Sequence, residues 1–170
     1  DRLGDLFSPE NILVVTVVDQ AKKLQAQCPQ IPAENYLLEP MPRGTASVVG
    51  LAAVALQQRD PQAIMAVLTA DHIFENEEYF RQILRAAYGA ANQDYLVTLG
   101  IVPTYPATGY GYIQRGDFVG SQVDLDVYQV LRFVEKPDEE RAQSMVESGD
   151  HAWNSGMFVW RVARIMEEFK

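Results

Sequence analysis

The chain has 170 residues, of which 48% are apolar and 22% charged, and its formal net charge is −9. These proportions are typical of a globular domain, and the acidic balance argues against nucleic-acid binding, which needs Lys and Arg to displace counterions from phosphates. No apolar run reaches the roughly 18 residues of a membrane-spanning helix, and the single cysteine, Cys28, excludes an internal disulfide. We expect a cytoplasmic protein without nucleic-acid or membrane partners.

The first hundred residues alternate between strand-like and helix-like segments. Runs rich in β-branched and apolar residues predict strands, most of them buried on both faces, at residues 12–18, 35–38, 64–69 and 95–99. The segments between them predict helices at residues 19–27, 45–59 and 77–91. Thr45 and Asn76 are the expected caps of the second and third helices. The helix after Thr45 is apolar on nearly every side, which predicts deep packing.

After residue 100 the pattern becomes mixed. Prolines and glycines predict a loop at residues 103–111. Strands are expected at residues 112–114, 127–134 and 153–160, with a polar excursion between the first two. Helices are expected from Asp138 to Gly149 and at residues 163–170. The sequence therefore predicts an α/β fold whose central sheet is mostly parallel, flanked by helices, and mixed towards the C-terminus.

The sequence shows no clear first strand and ends within a predicted helix. We therefore expect residues 1–170 to form part of one domain that is truncated at both ends. A missing first strand would leave the edge of a neighbouring strand unpaired, and such an edge favours association into homo-oligomers.

The segment Thr69-Ala70-Asp71-His72 follows a predicted buried strand. In open α/β sheets, ligands bind at the carboxyl ends of strands. A carboxylate there can hold Mg²⁺, which prefers oxygen ligands and takes only one or two of them from protein. The alternative for Asp71 is a turn residue that caps the next segment, and the alternative for His72 is a packing or hydrogen-bonding role.

Three further segments carry polar residues in positions suited to a ligand. Glu135 and Lys136 stand side by side at a predicted strand end, where the Glu could accept hydrogen bonds from sugar hydroxyls and the Lys could meet a phosphate; a surface ion pair is the alternative. The glycine loop at residues 108–112 lacks the spacing of a phosphate cradle, but its glycines allow a ligand to approach the backbone. Asn154 interrupts an otherwise apolar strand, where its amide satisfies neighbouring backbone or reaches a ligand hydroxyl.

Five segments that occur in order give these weak signals a common meaning. They lie at residues 38–46, 68–72, 100–113, 133–137 and 153–158. Together they resemble the sugar-1-phosphate nucleotidyltransferases, most closely the guanylyltransferase branch, and the resemblance covers nearly the whole chain. It implies a Rossmann-like nucleotidyltransferase fold, and an enzyme that joins GTP and mannose 1-phosphate into GDP-mannose, with release of pyrophosphate and with Mg²⁺ as cofactor.

The resemblance also implies roles for residues from position 71 onwards. By match, Asp71 is a catalytic residue and the metal ligand. Gly109, Glu135 and Asn154 contact the sugar, and Lys136 contacts its phosphate and is the second catalytic residue. The reaction needs no protein nucleophile, because the sugar phosphate oxygen attacks the α-phosphorus directly and catalysis rests on positioning and charge neutralisation.

The resemblance also implies that the nucleotide binds at residues 39–44, with Glu39, Arg43 and Gly44 as binding residues. Guanine presents two neighbouring N–H donors, and an ionised Glu at position 39 can accept both. The backbone N–H of Gly44 could answer a carbonyl of the base, and Arg43 could either orient Glu39 or approach phosphate. This chemistry favours guanine over thymine or uracil. We hypothesise that Glu39 and Asp71 lie on opposite walls of one crevice.

The family's glycine-rich signature, which ends in Arg-Leu and grips the triphosphate, has no match in this sequence, and neither has a second metal-binding Asp. We therefore expect the parent enzyme to be active and the 170-residue chain to show little or no turnover. The alternatives are another member of the family, such as a glucose-1-phosphate thymidylyl- or adenylyltransferase, and a non-catalytic regulatory subunit with the same fold.

Overall fold

The computed structural model describes residues 2–170, which form an α/β chain. The strands are β1 (Val14–Val17), β2 (Tyr36–Glu39), β3 (Ile64–Val67), β4 (Val97–Ile101), β5 (Tyr112–Gln122), β6 (Leu125–Val134) and β7 (His151–Arg161). The helices are α1 (Val18–Gln27), α2 (Thr45–Arg59), α3 (Glu77–Ala91), α4 (Glu139–Ser148) and α5 (Val162–Glu168). None of the helices within residues 2–170 has the length and apolarity to cross a bilayer.

The strands form two sheets, and both directions of pairing occur. Strands β1 and β2 are parallel. The larger sheet has the order β3-β7-β5-β6, with β4 also paired to β7, and its pairs β4·β7, β5·β7 and β5·β6 are antiparallel. The predicted α/β class with both parallel and antiparallel strand pairs is confirmed, with the two kinds of pair divided between two sheets where one mostly parallel central sheet was expected. The parallel pair lies early in the chain and these antiparallel pairs later, as the change in sequence pattern after residue 100 indicates.

The chain folds into two compact units. Unit 1 contains the chain through Met65 together with Phe74–Arg81 and Arg161–Lys170. Unit 2 contains Ala66–Ile73 and Gln82–Trp160.

In unit 1, the fully buried Asn35 joins three separate segments. Its Nδ2 donates to the backbone oxygens of Glu10 (2.8 Å) and Ile12 (3.0 Å), and its Oδ1 accepts from Nη1 of Arg59 (2.7 Å) at the end of α2. Asn35 is 2% exposed, so these partners replace water completely. One side chain therefore ties the segment before β1 and the start of β2 to the end of α2.

Helix α2 has the predicted bounds, but two expectations about it were wrong. The residue that precedes the helix as its cap is Gly44, with φ of +85°, and Thr45 is the first helical residue. The helix is also not packed on every side, because Leu51 (39% exposed) and Val54 (44%) face solvent. Its burial is confined to one face, which shows that an apolar composition alone does not reveal how many neighbours a helix has.

In unit 2, helix α4 has the ends that its sequence predicts. The Asp138 carboxylate accepts a hydrogen bond from the backbone N–H of Arg141 at 2.9 Å, and Gly149 ends the helix in the left-handed conformation, with φ of +70°. The inner face of α4 packs on β5 and β7. This core consists of Ala107, Tyr112, Ala142, Met145 and Trp153.

The polar segment between residues 114 and 127, which was expected to lie outside the strands, extends β5 and β6 instead. Strands β5 and β6 form a long hairpin that turns at Val123 and Asp124, with φ values of +49° and +61°. Positive φ at both central residues defines the turn that suits the twist of a two-residue hairpin, but Asn-Gly is its usual sequence. Register shifts along β5 also break the polar–apolar alternation. The sequence signals of a hairpin are therefore missing.

Candidate active site

Gly111, Glu135 and Asn154 come together in unit 2. Strand β5 pairs with both β6 and β7, so the residue before β5, the residue after β6 and a residue within β7 meet at one end of the sheet. The backbone N–H of Asn154 donates to the carbonyl of Gly111 at 2.8 Å. A Cβ at position 111 would lie 3.1 Å from Oε2 of Glu135 and 3.6 Å from Cβ of Asn154. A side chain at position 111 would therefore press on the Glu135 carboxylate, which would have to move by a few tenths of an ångström.

The structure therefore points to Gly111 as a site residue that the sequence argument treated only as part of a loop. A Cβ at Gly109, the glycine that the resemblance assigned to the sugar, would meet nothing within 4 Å. The role of Gly109 stays a prediction. The signal for Gly111 was its place immediately before β5, but its contacts depend on two other strands.

The side chains at the site offer both kinds of hydrogen-bonding group. The Asn154 amide oxygen accepts from the backbone N–H of Gly156 at 3.0 Å, which leaves the Nδ2 donors for a ligand. Glu135 is 75% exposed, and a carboxylate is purely an acceptor when ionised. A hydroxyl group donates one hydrogen bond and accepts others, so this donor and this acceptor together suit a polyol such as a sugar.

Lys136 adds a positive charge beside these groups. Its Nζ lies 3.9 Å from Oε1 of Glu135, and its side chain is 66% exposed. Its backbone has φ of +41°, which is uncommon for a residue with a side chain and does not continue the extended conformation of β6. Both side chains are exposed, so both charges are accessible to an anionic, hydroxyl-bearing ligand. The ion pair between them is weak, because solvent screens it, and a ligand can replace it.

Asp71 lies on the loop that follows β3, as expected, and its carboxylate is 90% exposed. Oδ1 of Asp71 is 3.7 Å from Nδ1 of His72, and that nitrogen also contacts Oγ1 of Thr69. Cγ2 of Thr69 would lie 3.4 Å from a Cβ at Gly156, so this loop rests on the part of β7 that follows Asn154. The loop that carries Asp71 and the cluster of Gly111, Glu135 and Asn154 are therefore neighbours within unit 2.

Asp71 alone can hold Mg²⁺ only if water and substrate phosphates supply the other ligands. Among the side chains that the structure describes, no group of three or more His, Cys, Asp or Glu is placed to hold a metal ion. Mg²⁺ commonly binds one or two carboxylates and completes its shell with water and substrate phosphates. The exposed Asp71 fits that arrangement, in which the substrate brings the remaining ligands.

Glu39, Arg43 and Gly44 lie together in unit 1, on the connection from β2 to α2. Glu39 is the last residue of β2 and is half-buried, whereas Arg43 and Gly44 are exposed. Gly44 directly precedes α2, and the N-terminus of a helix favours negative charge. Their roles in nucleotide binding stay predictions, as does the hypothesis that Glu39 and Asp71 share one crevice.

Sequence reasoning did not single out a polar cluster at the start of β7. Nδ1 of the buried His151 lies 2.6 Å from Oδ1 of Asp150 and 3.1 Å from Oγ of Ser148. In a catalytic triad the Ser and Asp would meet opposite ring nitrogens, but here both meet Nδ1, and the buried Nε2 has no hydrogen-bond partner among the described residues. The cluster is therefore structural. Hydrogen bonds from Ser148 (2.5 Å) and Gln114 (2.8 Å) lower the pKa of Asp150.

The lowered pKa predicts a specific loss of stability in acid. The folded chain binds this proton less readily than the unfolded chain, in which Asp titrates near about pH 4, so the stabilisation is complete above that pH and is lost as the pH falls below it. Asp150→Asn should cost on the order of 1 kcal/mol near neutral pH, since the carboxylate is 41% exposed. Urea unfolding of both proteins should show this difference shrinking in acid; a difference independent of pH would contradict the assignment.

Comparison with known proteins gives the class of the molecule. The sequence profile described as nucleotidyl transferase matches residues 6–170, and the chain belongs to that family. It is 51% identical over 139 residues to mannose-1-phosphate guanylyltransferase ManC of Salmonella typhimurium, covering 81% of this chain and 29% of that protein. Its identity to the mannose-1-phosphate guanylyltransferase of Escherichia coli K12 is 47%, with the same coverage. The chain thus spans about three-tenths of the length of these curated relatives.

Two solved structures are similar over nearly the whole chain. A protein from Thermus thermophilus, described as a mannose-1-phosphate geranyltransferase, superposes with a TM-score of 0.86 at 32% identity, covering 99% of this chain and 47% of that one. A protein from Helicobacter pylori, described as a mannose-6-phosphate isomerase, gives a TM-score of 0.82 at 25% identity, covering 99% and 62%. These similarities support the α/β nucleotidyltransferase fold that the sequence predicts.

Proposed function

We propose that the protein transfers GMP from GTP to mannose 1-phosphate, giving GDP-mannose and pyrophosphate. The observation that carries this proposal is the meeting of Gly111, Glu135 and Asn154 beside Lys136, in a chain of the nucleotidyl transferase family that is similar to mannose-1-phosphate guanylyltransferases. The proposal includes a cytoplasmic location, since GTP is the co-substrate.

In this proposal unit 2 holds the sugar phosphate. Glu135 accepts hydrogen bonds from sugar hydroxyls, Nδ2 of Asn154 donates to a hydroxyl oxygen, and the missing side chain at Gly111 gives the ring room between them. Lys136 meets the phosphate as a compact cation. These contacts hold the attacking phosphate oxygen in place, so that alignment with the α-phosphorus requires little further loss of freedom.

Asp71 supplies a carboxylate ligand for Mg²⁺ in the same proposal. The bound ion would neutralise charge on the phosphates that react and leave. In unit 1, Glu39 would accept both N–H groups of guanine, with the Gly44 backbone N–H facing the base and Arg43 beside them. This assignment derives from the chemistry of guanine, in which an acceptor-only carboxylate matches two adjacent donors.

The sugar site can be tested on the chain directly by NMR titration with mannose 1-phosphate. The expected result is a shift of the backbone resonance of Gly111 and the side-chain amide resonances of Asn154. Glu135→Gln should weaken the affinity by about 10-fold to 100-fold, because it removes hydrogen bonds to a charged acceptor. Glu140→Gln, which removes an exposed charge in the first turn of α4, is the matched control and should bind normally.

Competing ligands separate the proposal from its alternatives. Tighter binding of glucose 1-phosphate than of mannose 1-phosphate would contradict the sugar assignment. In a thermal-shift series, greater stabilisation by UDP-glucose or ADP-glucose than by GDP-mannose would contradict the guanine assignment. Absence of any sugar phosphate binding would contradict the proposal as a whole.

A further inference from the structure

Strand β7 contains a local irregularity beside the candidate sugar site. Thr98 of β4 lies opposite Phe158, whereas Gly100 lies opposite Asn154. Over this interval β4 advances by two residues and β7 by four, so β7 bulges by two residues across from Leu99. A bulge interrupts the ladder of backbone hydrogen bonds and redirects the side chains next to it.

The hydroxyl of Ser155 makes hydrogen bonds with two backbone groups at the bulge. Oγ of Ser155 donates to the carbonyl of Leu99 at 2.6 Å and accepts from the backbone N–H of Met157 at 3.1 Å. Ser155 is 5% exposed, so water cannot readily take over either bond. Oγ1 of Thr98 donates to the carbonyl of Met157 at 3.4 Å. Side chains therefore satisfy backbone groups that the bulge takes out of the ladder.

The bulge in turn orients the amide of Asn154. Gly156 lies within it with φ of +71°, a conformation that suits glycine, and its N–H donates to Oδ1 of Asn154 at 3.0 Å. Because a backbone N–H must face an acceptor, this bond determines which end of the amide is oxygen. It leaves Nδ2 as the part of the amide that a ligand can reach.

We infer that Ser155 is a positioning residue, whose hydroxyl maintains the bulge that holds Oδ1 of Asn154 and reserves its Nδ2 donors for a sugar hydroxyl. The inference rests on the proposed function in so far as Asn154 contacts the sugar. Loss of the hydroxyl removes the bonds to Leu99 and Met157, and the bulge can then shift towards a regular ladder. Gly156 would move away from Asn154, and the amide would be free to rotate.

The test compares Ser155→Ala with Val159→Ala, a substitution of another buried residue on the same strand that takes no part in the bulge. In the ligand-free chain, hydrogen exchange of the Gly156 N–H should accelerate at least about 10-fold in Ser155→Ala, and remain within about 2-fold in Val159→Ala after correction for global stability. Affinity for mannose 1-phosphate should fall about 10-fold in the first variant and stay within about 2-fold in the second.

Hydrogen exchange at Gly156 tests the role of Ser155, and binding by the wild-type protein tests the proposed function. Wild-type protein that does not bind mannose 1-phosphate would contradict the proposed function, whereas the exchange rate at Gly156 would still decide whether Ser155 positions Asn154. Equal exchange and equal affinity in the two variants would overturn the inference. If Ser155→Ala does not fold, Ser155→Cys, which keeps a weaker hydrogen-bonding group of similar size, should give smaller changes in the same two measurements.

Discussion

Replacing Asp71 by Asn should lower kcat by about 100-fold or more in any form of the protein that turns over GTP and mannose 1-phosphate. The substitution keeps the shape of the side chain but removes the charge that would hold Mg²⁺. Because the carboxylate is 90% exposed and lies 3.7 Å from the His72 ring, the free energy of unfolding should change by less than about 0.5 kcal/mol. Steady-state kinetics and urea unfolding measure the two effects.

A matched control separates metal binding from net charge. Asp117 is an exposed carboxylate on β5 in the same unit, and Asp117→Asn removes the same charge away from the loop after β3. It should leave kcat within about 2-fold of wild type. Equal loss of activity in both variants, or normal activity in Asp71→Asn, would remove Asp71 from the proposed metal site.

The largest loss of stability is expected from Asn35→Ala, at about 3 kcal/mol. The substitution leaves the carbonyls of Glu10 and Ile12 without their shared donor and removes the acceptor of Arg59, at a position where Asn35 itself is 2% exposed. Urea unfolding of the chain measures the change.

Asn11→Ala is the control for this prediction. Asn11 is exposed, and its side chain donates to Oγ of Ser8 at 3.1 Å in an exposed setting. Its replacement should cost less than about 0.5 kcal/mol. A cost for Asn35→Ala as small as that for Asn11→Ala would show that the three segments are held together by other contacts.

The order of helices and strands could be predicted because its signals are local. Asp138 and Gly149 mark the ends of α4 by chemistry that acts within a single turn. Asn76 marks the start of α3 in the same way, by accepting from the backbone N–H of Tyr79 at 2.9 Å. The buried side chains of Phe80 and Leu84 then follow the predicted stripe of α3.

The remaining features depend on contacts between distant parts of the chain. The importance of Gly111 comes from Glu135 and Asn154, which follow it by 24 and 43 positions in the sequence. Asn154 was predicted from its unusual place in an apolar strand, but the bulge that orients it depends on Leu99 of another strand. Exposure of one face of α2 likewise depends on what lies beside it. Single-sequence patterns carry no information about such neighbours.

The position of the two tryptophans gives the protein a built-in optical signal. Both indoles of the sequence, Trp153 and Trp160, belong to β7, and Trp153 is buried directly before Asn154. The rings of Tyr105 and Tyr110 meet Trp153 edge-on, with centroids 5.0 and 5.1 Å away. Intrinsic fluorescence therefore originates from the strand that carries Asn154, the amide of the proposed sugar site, and ligand binding at that site should be followed by emission from the unlabelled chain.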